Sequence, residues 1–256
     1  MDYSELKRKF RLHFGLELTR NPKLKFLLYD IFVHGSAYIV GGYLRDFINS
    51  KASRDIDIII DLNDDKLLEI IQNSDVKFSI NRHKGIKLHL NKIDVDMWSI
   101  ENNWAFKNQL VKLNENDKLK SIAKGCFYNY DSLVVNLHTF NMNIQYYNNF
   151  VIENKLEILQ KSPLYKNLNP TKEANILRAF YLKKMHQIEF SSNTKRYLID
   201  KIGEISDNEI NPISKLEMTK SKYRKYESCL SSTEIEKLIK ELYTGSGFDR
   251  QTYFEF

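Results

Sequence analysis

The chain of 256 residues is long enough for one large domain or two small ones, and its 42% hydrophobic and 28% charged residues are typical of globular proteins. A formal net charge of +6 permits an anionic partner such as nucleic acid without requiring one. Because the sequence lacks a bilayer-spanning apolar run, a secretory signal and a cysteine framework, we expect a cytoplasmic protein that does not bind membranes.

The first half of the chain combines two N-terminal helices with a series of strands. The first helix covers YSELKRKFRLHFGLEL, and the second begins at Pro22, which a first helical turn tolerates. A further helix is predicted within residues 64–74, and the last two strands before residue 100 predict a hairpin closed at Asn91-Lys92. Strands are predicted at residues 38–40, 55–60, 76–80, 86–90, 93–98 and within 132–140.

After about residue 150 the apolar spacing becomes helical. One of the helices there, which covers residues 192–205, is expected to begin behind an N-cap at Ser192 or Asn193. This change of pattern predicts an α/β N-terminal domain of residues 1–145 and an all-helical region of residues 146–256. The predicted helices cover residues 171–187, 192–205, 211–230 and 231–243.

Two aspartates lie two residues apart in the strand sequence RDIDIII. Alternate strand residues face the same side, so the carboxylates of Asp55 and Asp57 project together. Ile56, Ile58 and Ile60 face the other way into packing. Neighbouring carboxylates repel each other, and a divalent cation with a preference for oxygen ligands, such as Mg²⁺, removes that penalty. The alternative is a solvent-facing strand that carries the two aspartates without a metal.

A pair of glycines, Gly41 and Gly42, separates the preceding strand from a short helix. Glycines let the backbone approach a ligand closely, and the N–H groups at a helix start attract anions. Arg45, one turn into the helix, has the geometry to bind phosphate oxygens. An ordinary β-turn is the alternative explanation of Gly-Gly. Together with the aspartates, these residues predict a triphosphate site beside a metal site, as in metal-assisted nucleotidyl transfer.

A third carboxylate is expected in the sequence KIDVDMW. Asp94 and Asp96 share one face of this predicted strand. Asp96 lies between Val95 and Met97, apolar residues that hold its direction. We therefore favour Asp96 and keep Asp94 as the alternative.

The stretch YIVGGYLRDFINSKASRDIDI resembles the signature of the class II tRNA nucleotidyltransferase and bacterial poly(A) polymerase family, within the polymerase beta-like nucleotidyltransferase superfamily. The likeness extends more faintly through GIKLHLNKIDVDMW and reappears at ANILRAFYLKKMHQIEFSSNT. It implies an α+β fold, in which a palm of mixed sheet and flanking helices is followed by an all-helical neck and a reduced body.

The resemblance also implies the chemistry. Asp55, Asp57 and Asp96 are expected to be catalytic and to bind two Mg²⁺ ions. The expected reaction transfers a nucleoside monophosphate from an NTP to a hydroxyl group and releases pyrophosphate. The expected acceptor is the 3′ end of tRNA or of another RNA.

The residues expected to hold the nucleotide follow from the same resemblance. Gly41, Gly42 and Arg45 would hold the triphosphate, and Asp46 would brace the glycine turn through hydrogen bonds. Arg178, which survives in the neck sequence ILRAF, is included among the nucleotide-binding residues.

Departures from the family pattern concern specificity. No Arg-Arg-Asp triplet precedes the last predicted strand, where the matching sequence AKGCFYNYDSLVVN offers Asn129 and Asp131 as polar residues. Enzymes that add C and A carry a Glu-Asp pair and an arginine at the neck positions that are Thr171, Lys172 and Asn175 here. The chain is also shorter than most CCA-adding enzymes. We therefore expect that the catalytic residues are intact and that the protein template that selects CTP or ATP is missing. We do not expect a CCA-adding enzyme.

Two other functions stay open. A compact nucleotidyltransferase without tRNA-gripping domains is also suited to modify a protein side chain or a small molecule, as in toxin or defence modules, and its reduced body leaves room for a protein partner. A nucleotide-binding subunit without turnover is the third reading. Such a subunit is expected to lack a carboxylate, and none of the three expected here is missing.

Overall fold

The computed structural model describes residues 2–81, 84–90, 93–159, 171–206 and 211–244. Among these residues, no helix has the length and apolar character needed to cross a membrane. The helices are α1 (Tyr3–Arg20), α2 (Pro22–His34), α3 (Gly42–Ile48), α4 (Asp64–Gln72), α5 (Trp104–Lys107), α6 (Lys118–Gly125), α7 (Gln145–Glu153), α8 (Lys172–His186), α9 (Ser192–Ser206), α10 (Pro212–Lys220), α11 (Arg224–Glu227) and α12 (Ser232–Thr244). The strands are β1 (Ala37–Val40), β2 (Asp55–Ile60), β3 (Phe78–Ile80), β4 (Ile86–His89), β5 (Asp94–Ser99), β6 (Val134–Asn136), β7 (Met142–Asn143), β8 (Lys155–Leu156) and β9 (Glu189–Phe190).

Seven strands form one mixed sheet in the order β3-β4-β5-β2-β1-β6-β7. Neighbouring strands run antiparallel except β2 and β5, which are parallel because the chain crosses over between them through α4 and the β3–β4 pair. Helices pack against this sheet, and helix-rich chain follows it. The predicted α+β class is confirmed.

The two faces of the sheet are buried by different helices. On one face, α3 packs against β1 and β2 and α2 packs against β1, and Ile56 and Ile58 of β2 are fully buried. On the other face, α6 packs against β1 and β6, and its Ile122 joins Ile59 in a buried apolar cluster. Asp55 and Asp57 share the face of Ile59, because strand side chains alternate. They therefore lie at the N-terminal end of β2, beyond the apolar cluster.

The described residues divide into two compact units. The first comprises the described residues up to 149 together with Leu159, and it contains the seven-stranded sheet. The second comprises residues 150–158 and the described residues from 171 onward, in which α8 packs against α9 and α10.

The helices and strands predicted for the first unit are present, with differences at their ends, whereas α5, α6 and β7 were not predicted. The strand predicted at 76–80 is shortened to Phe78–Ile80, and the turn at Asn91-Lys92 lies outside the described residues. The strand predicted within 132–140 ends at Asn136, because the Asn136 side chain accepts hydrogen bonds from the backbone N–H groups of His138 and Thr139 and so turns the chain.

The second unit requires three corrections. It is not all-helical, because β8 and β9 form a short parallel pair. Ser191 is the capping side chain of α9, accepting from the Thr194 N–H at 3.1 Å, while Asn193 donates to Glu157 instead. The single helix predicted over 211–230 is divided into α10 and α11, with Ser221 at the end of α10 donating its hydroxyl to a carbonyl of the preceding turn.

Candidate active site

The parallel register of β2 and β5 brings four carboxylates together. Asp55 is paired with Asp94, and Asp57 is paired with Asp96. Residues paired across neighbouring strands point to the same side of a sheet, so all four aspartates lie on one face, here called the carboxylate face. Val40, the last residue of β1, is paired with Asp57 on the other side of β2. The glycine turn after β1 therefore begins beside the aspartates.

Burial distinguishes the two candidates for the third carboxylate. Asp96 is half-buried, and its pKa is raised, first by this burial and then by the charges of Asp55 and Asp94, although Lys87 acts in the opposite direction. The side chain of Asp94 is 52% exposed and forms an ion pair of 2.9 Å with Lys87. A cation bound at this face would relieve the repulsion that raises the pKa of Asp96.

The side chains do not form a closed metal cluster. No group of three or more His, Cys, Asp or Glu side chains in the described parts of the chain is arranged to hold a metal ion. Asp94 bonds to Lys87, and Asp55 lies 3.8 Å from the guanidinium of Arg54. The backbone register nevertheless places carboxylate oxygens, the ligand type that Mg²⁺ prefers, in two adjacent rows. The residues present therefore fit a magnesium site that requires rotation of side chains.

Gly41 has the conformation that makes the turn possible. Its φ of 74° and ψ of −114° form a combination that side-chain-bearing residues avoid. Its N–H donates to the Leu133 carbonyl at 2.7 Å. This amide is therefore not available to an anion, contrary to the expectation from the sequence. A Cβ at Gly41 would lie 3.4 Å from the backbone carbonyl oxygen of Asp131, so the turn and the 129–131 segment approach closely.

Arg45 is held by two residues of the 129–131 segment. Its Nη1 donates to Asp131 Oδ1 at 2.9 Å, and its guanidinium carbon lies 4.4 Å from the centre of the Tyr130 ring. The carboxylate of Asp46 lies 3.7 Å from Nη2. The sequence indicated Asp131 as a polar residue of this segment, but it contained no signal for the contact of Tyr130 with Arg45.

The helix that carries Arg45 is anchored by α1. Tyr43 is buried, and its hydroxyl lies 3.1 Å from Nε2 of His13. Burial lowers the pKa of His13 and so favours the neutral ring. Phe10 of α1 packs edge-on against Phe47 of α3, with ring centres 5.3 Å apart. These contacts fix the direction of α3 and therefore the place from which Arg45 extends.

The neck residues lie in the second unit. Arg178 is on α8, and Asn175 is buried in the same helix. Thr171 caps α8 by accepting a hydrogen bond from the Ala174 N–H at 3.2 Å, and Lys172 forms an ion pair of 3.4 Å with Glu204. The residues at the base-reading positions of the family thus have contacts that stabilise the helices of their own unit.

Comparisons with known proteins agree with this architecture. The family model for the poly(A) polymerase head domain matches residues 37–124, which include the glycine turn and all four aspartates. The comparison with curated protein sequences gave no match.

Solved structures of CCA-adding enzymes share the fold. A complex of a CCA-adding enzyme with CTP has a TM-score of 0.64 at 17% identity, covering 95% of this chain and 55% of that one. The Thermotoga maritima CCA-adding enzyme complexed with tRNA has a TM-score of 0.60 at 15% identity, covering 87% of this chain and 50% of that one. The chain therefore spans about half the length of these two proteins. Residues 37–124 match the family model of the poly(A) polymerase head domain and the chain has the fold of CCA-adding enzymes, so the resemblance to class II tRNA nucleotidyltransferases and poly(A) polymerases is confirmed.

Proposed function

We propose that the chain is a nucleotidyltransferase that moves a nucleoside monophosphate from an NTP to a hydroxyl group and releases pyrophosphate. The observation that carries this proposal is the register of β2 and β5, with Asp57 beside Asp96 and the Gly41 turn starting from the neighbouring strand. The head-domain match of residues 37–124 supports the same chemistry. The proposed acceptor is the 3′ end of tRNA or of another RNA, because one similar structure is a complex with tRNA.

Asp55, Asp57 and Asp96 are the residues that would hold magnesium. Their carboxylates lie on one face in adjacent rows, and the raised pKa of Asp96 reflects in part the negative charge that a cation would offset. When bound, a pair of Mg²⁺ ions activates the attacking hydroxyl and compensates the charge of the triphosphate. The protein contributes the fixed strand positions of the three acids, so they need no backbone rearrangement to meet at the cation.

Gly41, Gly42 and Arg45 would receive the triphosphate. The absence of side chains at the turn allows phosphate oxygens to approach the backbone. Arg45 uses Nη1 for Asp131, and a guanidinium has five N–H donors in total, so it retains donors for phosphate oxygens. Its charge then opposes the charge that develops on the departing pyrophosphate, and no protein nucleophile is required.

The remaining assignments extend this proposal to the whole chain. We assign nucleotidyl transfer to a head of residues 1–145 and assign residues 146–256 to a helical neck and body. Arg178, on α8, is also assigned to nucleotide binding. The cytoplasm is the proposed compartment.

The direct test is incubation of the protein with each α-labelled NTP, Mg²⁺ and total RNA. We expect label in RNA, released as mononucleotide on alkaline hydrolysis, and loss of labelling on addition of EDTA. The matched control is the Asp55→Asn/Asp57→Asn variant, which keeps the side-chain shapes but removes both charges. Equal labelling by the variant and the wild type would contradict the proposed site.

The same assay separates the alternatives. Label on a protein would indicate nucleotidyl transfer to a side chain, and a labelled small molecule would indicate a soluble acceptor. Absence of label from every acceptor, combined with tight NTP binding, would indicate a nucleotide-binding subunit without turnover.

A further inference from the structure

A lysine lies among the carboxylates on the carboxylate face. Strand β4 is antiparallel to β5, with Lys87 paired to Asp96 and His89 paired to Asp94. Directly paired residues of antiparallel strands point to the same side of the sheet. Lys87 therefore continues the row that contains Asp96 and Asp57, at a position that sequence patterns did not indicate as part of the site.

The lysine bonds to the neighbouring row. Its Nζ lies 2.9 Å from Oδ2 of Asp94, although its backbone is paired with Asp96. The hydrogen bond to Asp94 is the largest cause that raises the pKa of Lys87, and the charges of Asp96 and Asp55 add to it. Both partners are partly exposed, with side-chain accessibilities of 39% for Lys87 and 52% for Asp94. The pair thus lies at the solvent side of the carboxylate face.

We propose that Lys87 and Asp94 form a neutral pair that withdraws Asp94 from metal binding and leaves Asp55, Asp57 and Asp96 as the magnesium-binding carboxylates. This inference rests on the proposed function. Four negative charges in two adjacent rows repel one another, and the lysine compensates one of them without a bound cation. Lys87 is therefore a positioning residue, which acts by determining which of two equivalent strand positions serves the metal.

The rival arrangement has Asp94 as a metal ligand, with Lys87 leaving it when the cation binds. The two arrangements predict opposite results for removal of the pair as a unit. If the pair is neutral and uninvolved, its joint removal changes metal binding little. If Asp94 is a ligand, metal binding is lost whether or not Lys87 is present.

The test is titration of the whole chain with Mn²⁺, a stand-in for Mg²⁺ that is followed by electron paramagnetic resonance of the free ion and by calorimetry. Lys87→Met is expected to tighten Mn²⁺ binding about fivefold, because a unit charge roughly 8 Å from a divalent ion has about this effect at a water-like dielectric constant. Asp94→Asn is expected to weaken binding about fivefold, because Lys87 is then uncompensated. The double variant is expected to bind within about twofold of the wild type.

Matched controls separate this inference from the proposed metal site. Lys66→Met removes a positive charge from α4, beyond the opposite end of β2, and should leave the Mn²⁺ affinity unchanged. Asp57→Asn should abolish binding. Circular dichroism and thermal unfolding verify that each variant is folded, which is expected because Lys87 and Asp94 are both partly exposed.

Four results would overturn the inference. A Lys87→Met variant with wild-type affinity for Mn²⁺ would overturn the neutral pair, and so would a double variant that binds Mn²⁺ more than about tenfold more weakly than the wild type. Loss of Mn²⁺ binding in Asp57→Asn would still support the metal site in both cases. Wild-type protein that binds no Mn²⁺, or an Asp57→Asn variant that binds it normally, would overturn both the pair and the metal site of the proposed function.

Discussion

Asp96 occupies a position at which charge and burial conflict. Its carboxylate is half-buried beside other acids, so its pKa in the folded protein is raised above the ordinary carboxyl value. Between the ordinary and the raised pKa, the folded state binds more protons than the unfolded state, and the free energy of unfolding falls as pH rises. The ionised Asp96 therefore costs stability at neutral pH when no metal is present.

Asp96→Asn is accordingly expected to raise the free energy of unfolding at pH 7 in EDTA, measured by urea denaturation. The gain should shrink as pH falls below the ordinary carboxyl range, because Asp96 is then protonated in both states. The same variant should lower the rate of nucleotidyl transfer more than about a hundredfold. Residues that only hydrogen-bond to metal ligands already contribute about 10–100-fold, and Asp96 is expected to bind the metal directly. A lower free energy of unfolding for the variant at pH 7 would contradict the conclusion that the ionised Asp96 destabilises the folded protein.

Arg45 depends on residues far along the chain for its direction. Asp131→Asn replaces a charge-assisted hydrogen bond by a weaker one, so kcat/KM for the NTP is expected to fall about tenfold. Tyr130→Leu removes the ring face and should lower kcat/KM a few-fold, while Tyr130→Phe, which keeps the face, should retain the wild-type value. Steady-state kinetics with varied NTP measure all three variants. Equal effects of the Leu and Phe variants would show that the ring does not position Arg45.

At the scale of elements, the β1–Gly41–α3 connection has a backbone conformation that favours glycine. Gly41 has a positive φ and a strongly negative ψ, and the Asp131 carbonyl lies within contact distance of any added Cβ. The positive φ is therefore the feature that requires glycine, since an added Cβ would meet the Asp131 carbonyl only at ordinary van der Waals distance.

Gly41→Ala is expected to lower the free energy of unfolding by about 1–3 kcal/mol, because a residue with a Cβ is strained in this conformation. It should also raise the KM for the NTP by displacing the turn. Gly15→Ala is the matched control, since Gly15 lies within α1 and an added Cβ there meets no atom within 4 Å. That variant should be stabilised by about 0.4–1 kcal/mol. Urea denaturation of both variants tests the contrast, and similar destabilisation of the two would refute it.

At the scale of the whole molecule, the residues at the family's base-reading positions have other contacts. Thr171 caps α8, and Lys172 pairs with Glu204 within the second unit. Neither residue supplies the acidic donor–acceptor pattern with which enzymes that add C and A read base edges. We therefore propose that the second unit acts as a neck without this template.

We therefore expect weak discrimination between ATP and CTP, with kcat/KM values within about tenfold of each other. A site built to hydrogen-bond one base rejects the wrong one by several orders of magnitude, and a site without such groups has no equivalent penalty. Competition between the two labelled nucleotides on one acceptor measures the ratio. A ratio above about a thousandfold would show that other residues form a template.

Local sequence was sufficient for several parts of the fold. The apolar spacing of α1 and α2, the alternation in β2 and the glycines after β1 depend on neighbours a few residues away, so patterns of period 3.6 and 2 predict them. Local sequence patterns failed to predict where helices and strands end when a side chain bonds to the backbone. Asn136 ends β6 and Ser221 lies at the end of α10, and neither interruption is visible in hydrophobic spacing.

By itself, the sequence determined the resemblance of the glycine turn and of the two aspartates on one side of a strand to the poly(A) polymerase head domain, because both depend on residues close together in the chain. Only the tertiary structure decided that β5 lies parallel to β2 with Asp96 beside Asp57, that Lys87 enters the same face, and that Tyr130 and Asp131 hold Arg45. Strand pairing and ion pairs of this kind join residues 7 to 86 positions apart, and tertiary packing, not local periodicity, selects among the possible registers.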